Sequence, residues 1–429
     1  MRFAAFSLAF LLVTALVACG SNSTPRDGAA ASPLGPSLGR HGCNGREGGE
    51  APAQPLPAPN LQVPTGFAIE TIGSIGGARE LAALPNGDLI VGTEGSDVYI
   101  VPSAEGKAGA PRVFATINDN QAAGVYFART ECTIYVASTN HVWAIPYNGE
   151  RKARTVKKIA DVRTGPIAPG TDGDVHTTTS VAYSNGLVYA AAGSSCNATV
   201  DHGSKPCVEV DPTRAAVSVM NSDGSNFNQR AKRIRNAIAV TVNPDTGSVW
   251  VGGAGQDNLP KGHPYEYLDN LSAHPGDADY GWPVCEENHH AYWKGYDCGL
   301  TVKPLVELPA YSTIIGATFY PANGGAAFSF PVKYRGGLFA AAHGSWHTNG
   351  QGCNVDSPHV VFVDMNGDKP VKHVNWNDPT TQWREFVTGF QTGCNGRSGR
   401  PTGIAVGPKG SLFIGDDQAG LIYRVRPTH

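Results

Sequence analysis

The stretch Arg400–Val425, RPTGIAVGPKGSLFIGDDQAGLIYRV, decides the fold. Apolar and small residues alternate up to Val406, a Pro-Lys-Gly-Ser turn follows, Leu412–Ile414 return, and Leu421–Val425 supply a third strand. Period-2 alternation on both sides of a short glycine turn is the pattern of a β-hairpin, here with one more strand attached. Such a unit cannot bury both of its faces alone. Upstream the same pattern returns in ARELAALPNGDLIVGTEGSDVYIVP from Ala78, AAGVYFARTECTIYVASTNHVWAIPY from Ala122, TTSVAYSNGLVYAAAGS from Thr178 and NAIAVTVNPDTGSVWVGG from Asn236. It returns once more in GATFYP from Gly316, continued by YRGGLFAAAHGSW. Six small antiparallel sheets that need one another for cover predict an all-β, six-bladed β-propeller of four-stranded antiparallel blades over residues 62–429. A jelly roll or sandwich is the alternative, and it gives no reason for one motif to recur six times.

The composition agrees. The chain has 429 residues with 53 Gly and 31 Pro, and only 16% are charged, against roughly 25% in an average domain. Bundles and coiled coils rich in Glu and Lys are disfavoured. Hydrophobic residues make up 41%, enough for a sizeable core, and the formal charge of -3 creates no field that would gather nucleic acid or an anionic membrane. Function must therefore come from a local site.

Residues 1–19 read as an export signal, with a basic start, a short apolar run and the lipobox-like ending Leu16-Val17-Ala18-Cys19. Cys19 is then the acylated first residue of a lipoprotein. Ordinary cleaved secretion is the alternative, with Cys19 merely part of the apolar run. Residues 20–61 are rich in Gly, Pro, Ala and Ser and read as a flexible tether. The expected location is periplasmic, or anchored at the outer membrane through the lipid alone. The other eight cysteines suggest disulfides in an exported chain. Cys196 with Cys207 and Cys285 with Cys298 close short polar loops. The pairing of Cys43, Cys132, Cys353 and Cys394 stays open, and no CxxC pair supports zinc.

Several residues fall where inner strands begin, which in a propeller is the rim of the axial mouth. His176 precedes one such strand, where a neutral imidazole is a general base, with Asp172 and Asp174 close enough in sequence to orient it. Arg235 and Asn236 hold the matching position in the next repeat and Arg400 in the last; these types suit an anionic or carbonyl-rich ligand. The irregular stretch GGAGQDN, with Gly255 and Gln256, offers backbone carbonyls of the kind Ca²⁺ prefers. The loop AAAHGSWHTNGQGCN presents His343, Trp346 and His347, an aromatic and two imidazoles suited to a sugar or a planar cofactor. No P-loop, GxGxxG, GxSxG or HExxH motif is present.

Taken in order, GSSCN, RIRNAIAVTVNPDTGSVWV, DADYGWP, HGSW and the Arg400 stretch resemble the sorbosone dehydrogenase group of soluble quinoprotein glucose dehydrogenases, over about residues 62–427. The resemblance implies a propeller that binds pyrroloquinoline quinone (PQQ) over its channel with Ca²⁺ and oxidises a sugar or related alcohol or aldehyde hydrate. It implies His176 as the base, Arg235 and Asn236 at the quinone oxygens, Arg400 on a cofactor carboxylate, Trp346 against the cofactor, and Gly255 and Gln256 carbonyls on the metal. Two departures stand out: GGAGQDN lacks an acidic residue ahead of the calcium turn, and Thr402 stands where the glucose enzymes carry a second Arg. With no CxxCH haem motif, the electrons must go to an external acceptor. The other readings are a calcium-dependent lactonase-like hydrolase, which calls for a ring of Glu, Asn and Asp side chains at the mouth, and a non-enzymatic propeller that binds carbohydrate or a partner.

Overall fold

Asn185 and Gly186 both take positive φ, 51° and 86°, the combination that a two-residue type I′ turn requires. Across that turn Ser184 pairs with Leu187, so the Asn-Gly pair sets the register of the whole hairpin. The computed structural model describes Cys43 and residues 60–171, 173–198, 206–257, 262–286, 289–345, 347–349 and 351–428. The export signal with Cys19, most of the tether, Asp172 and Trp346 lie outside the described residues.

Six blades are formed. Their innermost strands are Ala78–Ala83, Gly124–Ala128, Thr179–Ser184, Ala239–Val242, Ile314–Phe319 and Pro401–Val406. Each strand packs beside the next, and the sixth returns to the first, closing the ring around a central channel. Blades 1, 2, 4 and 5 are four-stranded and antiparallel. Blade 3 is built on the same four-stranded plan, with Ala278–Asp279 added in parallel at its outer edge, against Ala231 and Lys232. Blade 6 takes three strands from the C-terminal end and its outermost, Phe67–Ser74, from the start of the propeller, pairing Phe67 with Pro427 and Ser74 with Leu421.

Each gap between blades has its own apolar cluster, so the core is a set of six wedges. Ile90, Ile100, Phe114, Val125 and Ile134 fill the gap between blades 1 and 2. Phe330, Phe339, Phe362, Phe386 and Phe67 fill the gap between blades 5 and 6, where Phe67 meets Phe330 edge-on at 4.6 Å. Small residues let the inner strands approach closely: a Cβ on Gly124 would lie 2.6 Å from the Thr179 carbonyl oxygen.

All eight of these cysteines are paired. Cys196–Cys207 and Cys285–Cys298 form as the loop lengths suggest, and the open pairings resolve as Cys43–Cys132 and Cys353–Cys394. Cys43, within the stretch read as a tether, is thus bonded to a turn of blade 2.

Candidate active site at the propeller mouth

His176 lies just ahead of the inner strand of blade 3, beside Gly193. A Cβ on Gly193 would come 2.5 Å from the His176 Cβ and 2.7 Å from Asn236 Oδ1. Glycine at 193 therefore brings the predicted base and Asn236 together. His176 Nδ1 is 2.7 Å from the Ser194 carbonyl oxygen, which only accepts, so Nδ1 carries the proton and Nε2 the lone pair. Burial, and then the charges of Arg235 and Arg163, hold the imidazole well below its ordinary pKa. It is neutral at pH 7, as a base must be.

Asp174 does not orient this ring, contrary to expectation. It is held between two guanidiniums, Arg163 and Arg214. The reason is a residue that the sequence did not single out: Arg163, 2% exposed, reaches from the loop after blade 2 and donates to the His176 and Gly193 carbonyls. Arg163 fixes the backbone of His176 and draws Asp174 away from the ring.

The GSSCN loop is held from below. The Glu209 carboxylate accepts from the Ser194 hydroxyl at 2.6 Å and from the Ser195 amide at 2.5 Å. The loop in turn holds Arg235, whose Nε and Nη2 donate to the Asn197 carbonyl and side-chain oxygens, both at 2.6 Å. Nη1 donates to the Ala254 carbonyl at 3.3 Å, and Nη2 also meets Asp257 at 3.2 Å. Much of the Arg235 fork is thus committed to the protein, and what it projects into the mouth is mainly charge. Beside it, the Asn236 side-chain oxygen is buried with no hydrogen-bond partner.

From Asp257 the constellation continues round the rim. His347 Nε2 lies 2.9 Å from Asp257 Oδ1, joining the HGSW loop of blade 5 to blade 4. His343 Nε2 lies 2.9 Å from Asp417; burial brings its pKa down to about 4 although Asp417 opposes the shift. Asp417 also pairs with Arg79 at 3.3 Å. Arg400 donates from Nε to the His343 carbonyl at 2.9 Å and from Nη2 to the Gly344 carbonyl at 2.5 Å. The pre-strand residues of blades 3, 4 and 6 are therefore linked through paired groups of blades 5 and 1. Sequence reading named His176, Arg235, Asn236, Arg400, His343 and His347, and missed Asp257, Asp417, Arg79 and Arg163. An aspartate adjoining the carbonyl pair was the one signal for Asp257.

Around Gly255 and Gln256 two acidic residues approach from elsewhere in the chain. The Gly255 amide donates to Glu266 at 3.0 Å and the Gln256 side chain to Glu286 at 2.8 Å. Burial pushes Glu266 up to about 8; Glu286 and Asp257 add to the push, while the Gly255 amide and Arg235 oppose it. Raised that far, Glu266 keeps its proton at pH 7, so the fit of a cation there rests on the backbone carbonyl oxygens and not on this carboxyl's charge. Among the described residues no three His, Cys, Asp or Glu side chains converge as metal ligands, so a cation there would rely on backbone and ligand oxygens. For the quinone, guanidinium charges on several sides fit a flat, polyanionic acceptor, while the lone pair of the neutral imidazole and the orphaned Asn236 oxygen can only accept, and so suit a ligand O–H or N–H.

Residues 286–428 match the family described as TrAA12-like. An uncharacterized protein of Borreliella burgdorferi is 22% identical over 379 residues, covering 85% of this chain and 90% of its own. Among solved structures, the holo PQQ domain of a pyranose dehydrogenase from Coprinopsis cinerea superposes with a TM-score of 0.66 at 18% identity, over 87% of this chain and 98% of that one. A calcium structure of a Trichoderma reesei enzyme of carbohydrate-active family AA12 gives 0.67 at 15%, over 86% and 98%. The soluble aldose sugar dehydrogenase of Escherichia coli, in apo form, gives 0.56 at 16%, over 84% and 100%. At these identities the superpositions establish the shared fold.

Proposed function

We propose that this chain oxidises a sugar or a related alcohol or aldehyde hydrate, using pyrroloquinoline quinone and Ca²⁺ at the propeller mouth. The observation that carries the reading is His176: a neutral imidazole with its tautomer fixed by Ser194, set beside Asn236 and under the charge of Arg235. When bound, the quinone supplies a two-electron acceptor for the hydride on the carbon that bears the hydroxyl. His176 Nε2 takes the hydroxyl proton as the hydride leaves, so the substrate loses both and becomes a carbonyl compound. Arg235 would supply positive charge toward the acceptor's oxygens, and Asn236 would help orient the group. Arg400 and Trp346 would hold the cofactor's edge, and the Gly255 and Gln256 carbonyls the metal. The electrons would go to an external acceptor. The four disulfides support an exported protein, and the lipobox reading at Cys19 adds a lipid anchor as its membrane contact.

The test is reconstitution. The apoprotein, titrated with quinone and Ca²⁺ and followed by absorbance, should show saturable binding and then reduce an artificial dye when sugars are added. Absence of both the spectral change and dye reduction would overturn the reading.

A further inference from the structure

The motif reading leaves one charge unaccounted for. Thr402 stands where a second Arg would reach the cofactor. It is fully buried, and its hydroxyl donates to the Ala78 carbonyl at 2.9 Å, within the seam between blades 6 and 1. No charge reaches the mouth from that position.

The preceding hairpin, Gln391–Thr392 with Gly396–Arg397, carries a cation near Arg400. Its tip is fixed by the Cys353–Cys394 disulfide, and the Asn354 amide donates to the Cys394 carbonyl at 3.0 Å. The backbone of Arg397 is pinned on both sides: its amide donates to the Asn395 carbonyl at 3.0 Å, and its carbonyl accepts from the Gln418 side chain at 3.0 Å. Yet Nη1 of its guanidinium is buried without a hydrogen-bond partner. An N–H of a charged group in that state is costly unless an acceptor arrives. Arg397 is also close enough to Arg400 that, after burial, its charge is the largest influence lowering the pKa of Arg400, to about 10; Arg79 adds to it.

The nearby acids do not neutralise this group. Asp417 is shared by His343 and Arg79, and Glu94 meets Arg79 at 2.5 Å. Asp416 accepts from the Arg400 and Ala419 amides and from the Tyr423 hydroxyl. Arg400 spends its side-chain bonds on neutral carbonyls. Three carboxylates lie among the three guanidiniums, but Glu94 and Asp417 both go to Arg79 and Asp416 is spent on amides and a hydroxyl, so Arg397 Nη1 and Arg79 Nε are left without an acceptor; the chemistry that completes them is a ligand carboxylate gripped by N–H groups.

We propose that Arg397, with Arg400 and Arg79, forms an anion subsite on the blade-6 side of the mouth that takes a carboxylate of an aromatic polycarboxylate, the class to which the quinone belongs. Arg397 thereby replaces, from a disulfide-held hairpin, the charge absent at Thr402. The identity of the natural ligand rests on the function proposed above; the subsite rests on the arginine cluster.

The experiment titrates the apo chain, wild type and Arg397→Gln, with pyrroloquinoline quinone in the presence of Ca²⁺ by absorbance. It separately measures the thermal stabilisation given by benzene-1,3,5-tricarboxylate. Loss of one charge-assisted contact should raise the quinone Kd about tenfold or more and remove most of the tricarboxylate-induced shift in Tm. Arg397→Lys, which keeps the charge and loses the fork, should fall between the two, and it decides the matter if Arg397→Gln fails to fold. Quinone binding by the wild type with an unchanged Kd in the variants overturns the subsite and leaves the proposed function standing. No quinone binding by the wild type, with tricarboxylate stabilising it but not Arg397→Gln, overturns the proposed function and upholds the subsite. If neither ligand affects any of the proteins, both fail.

Discussion

A base must be neutral, pointed and reachable, and at His176 each condition has a separate cause. Burial between Arg235 and Arg163 keeps it neutral, the Ser194 carbonyl fixes its tautomer, and glycine at 193 makes room for it. His176→Gln should therefore lower dye-reduction turnover by about 10²–10⁴-fold while leaving the quinone Kd close to wild type; a variant that keeps turnover would mean another group is the base. The pH profile follows from the same cause. Because the pKa of His176 is lowered, its active form persists well below the ordinary histidine value of 6.5. The acid limb of kcat/KM assigned to this group should lie clearly below that value, and an acid limb at or above it that vanishes in His176→Gln would contradict the assignment. His176, Arg235 and Arg400 were legible because each sits just before an inner strand, a position with a fixed meaning in a propeller. Arg163 and Asp257 were not, because they arrive from loops whose path no periodicity records.

At the scale of the element, the decisive constraint is how closely inner strands pass. Gly124 opens the inner strand of blade 2, and any side chain there meets the Thr179 carbonyl at the start of the next. Since Thr179 follows the His176 segment directly, Gly124→Ala should destabilise the fold by about 1–3 kcal/mol, the usual range for overpacking, and should disturb the base as well. Urea unfolding together with turnover measures both effects; an unchanged midpoint would show that the strands can part at no cost. Hairpins were readable from Asn-Gly and Lys-Gly pairs because positive φ leaves few alternatives. The added parallel strand Ala278–Asp279 was not, since two residues carry no period.

Across the whole molecule, one carboxyl ties three blades together. Glu80, on the inner strand of blade 1, accepts from the Val125 amide of blade 2 at 3.2 Å and from the Ser180 hydroxyl of blade 3. Burial raises its pKa from 4.5 to about 8 against the pull of those bonds. Between these values the folded protein keeps a proton that the unfolded chain releases, so this group makes stability fall as pH rises through that window, and the effect levels off above about 8. Glu80→Gln should flatten part of that slope in urea unfolding series from pH 5 to 8; an identical slope in the variant would show that Glu80 titrates normally. Nothing in the local sequence marks this residue, because its partners lie 45 and 100 positions away. The blade count, by contrast, was legible as a repeat, since each blade is complete only when its neighbour covers it.

The join in blade 6, where Phe67–Ser74 meets Leu421–Pro427, also sets an order in time. Arg400 and Asp417 belong to that blade, and Arg79 follows directly on its outermost strand. None of the three can reach its final place before segments from opposite ends of the propeller have found each other. Five blades can assemble as the chain emerges, but the mouth remains an open horseshoe until the last strand arrives. A ring without that last strand would still carry His176, Arg235 and Asn236 on blades 3 and 4, but would lack the side of the mouth built by Arg79, Asp417 and Arg400.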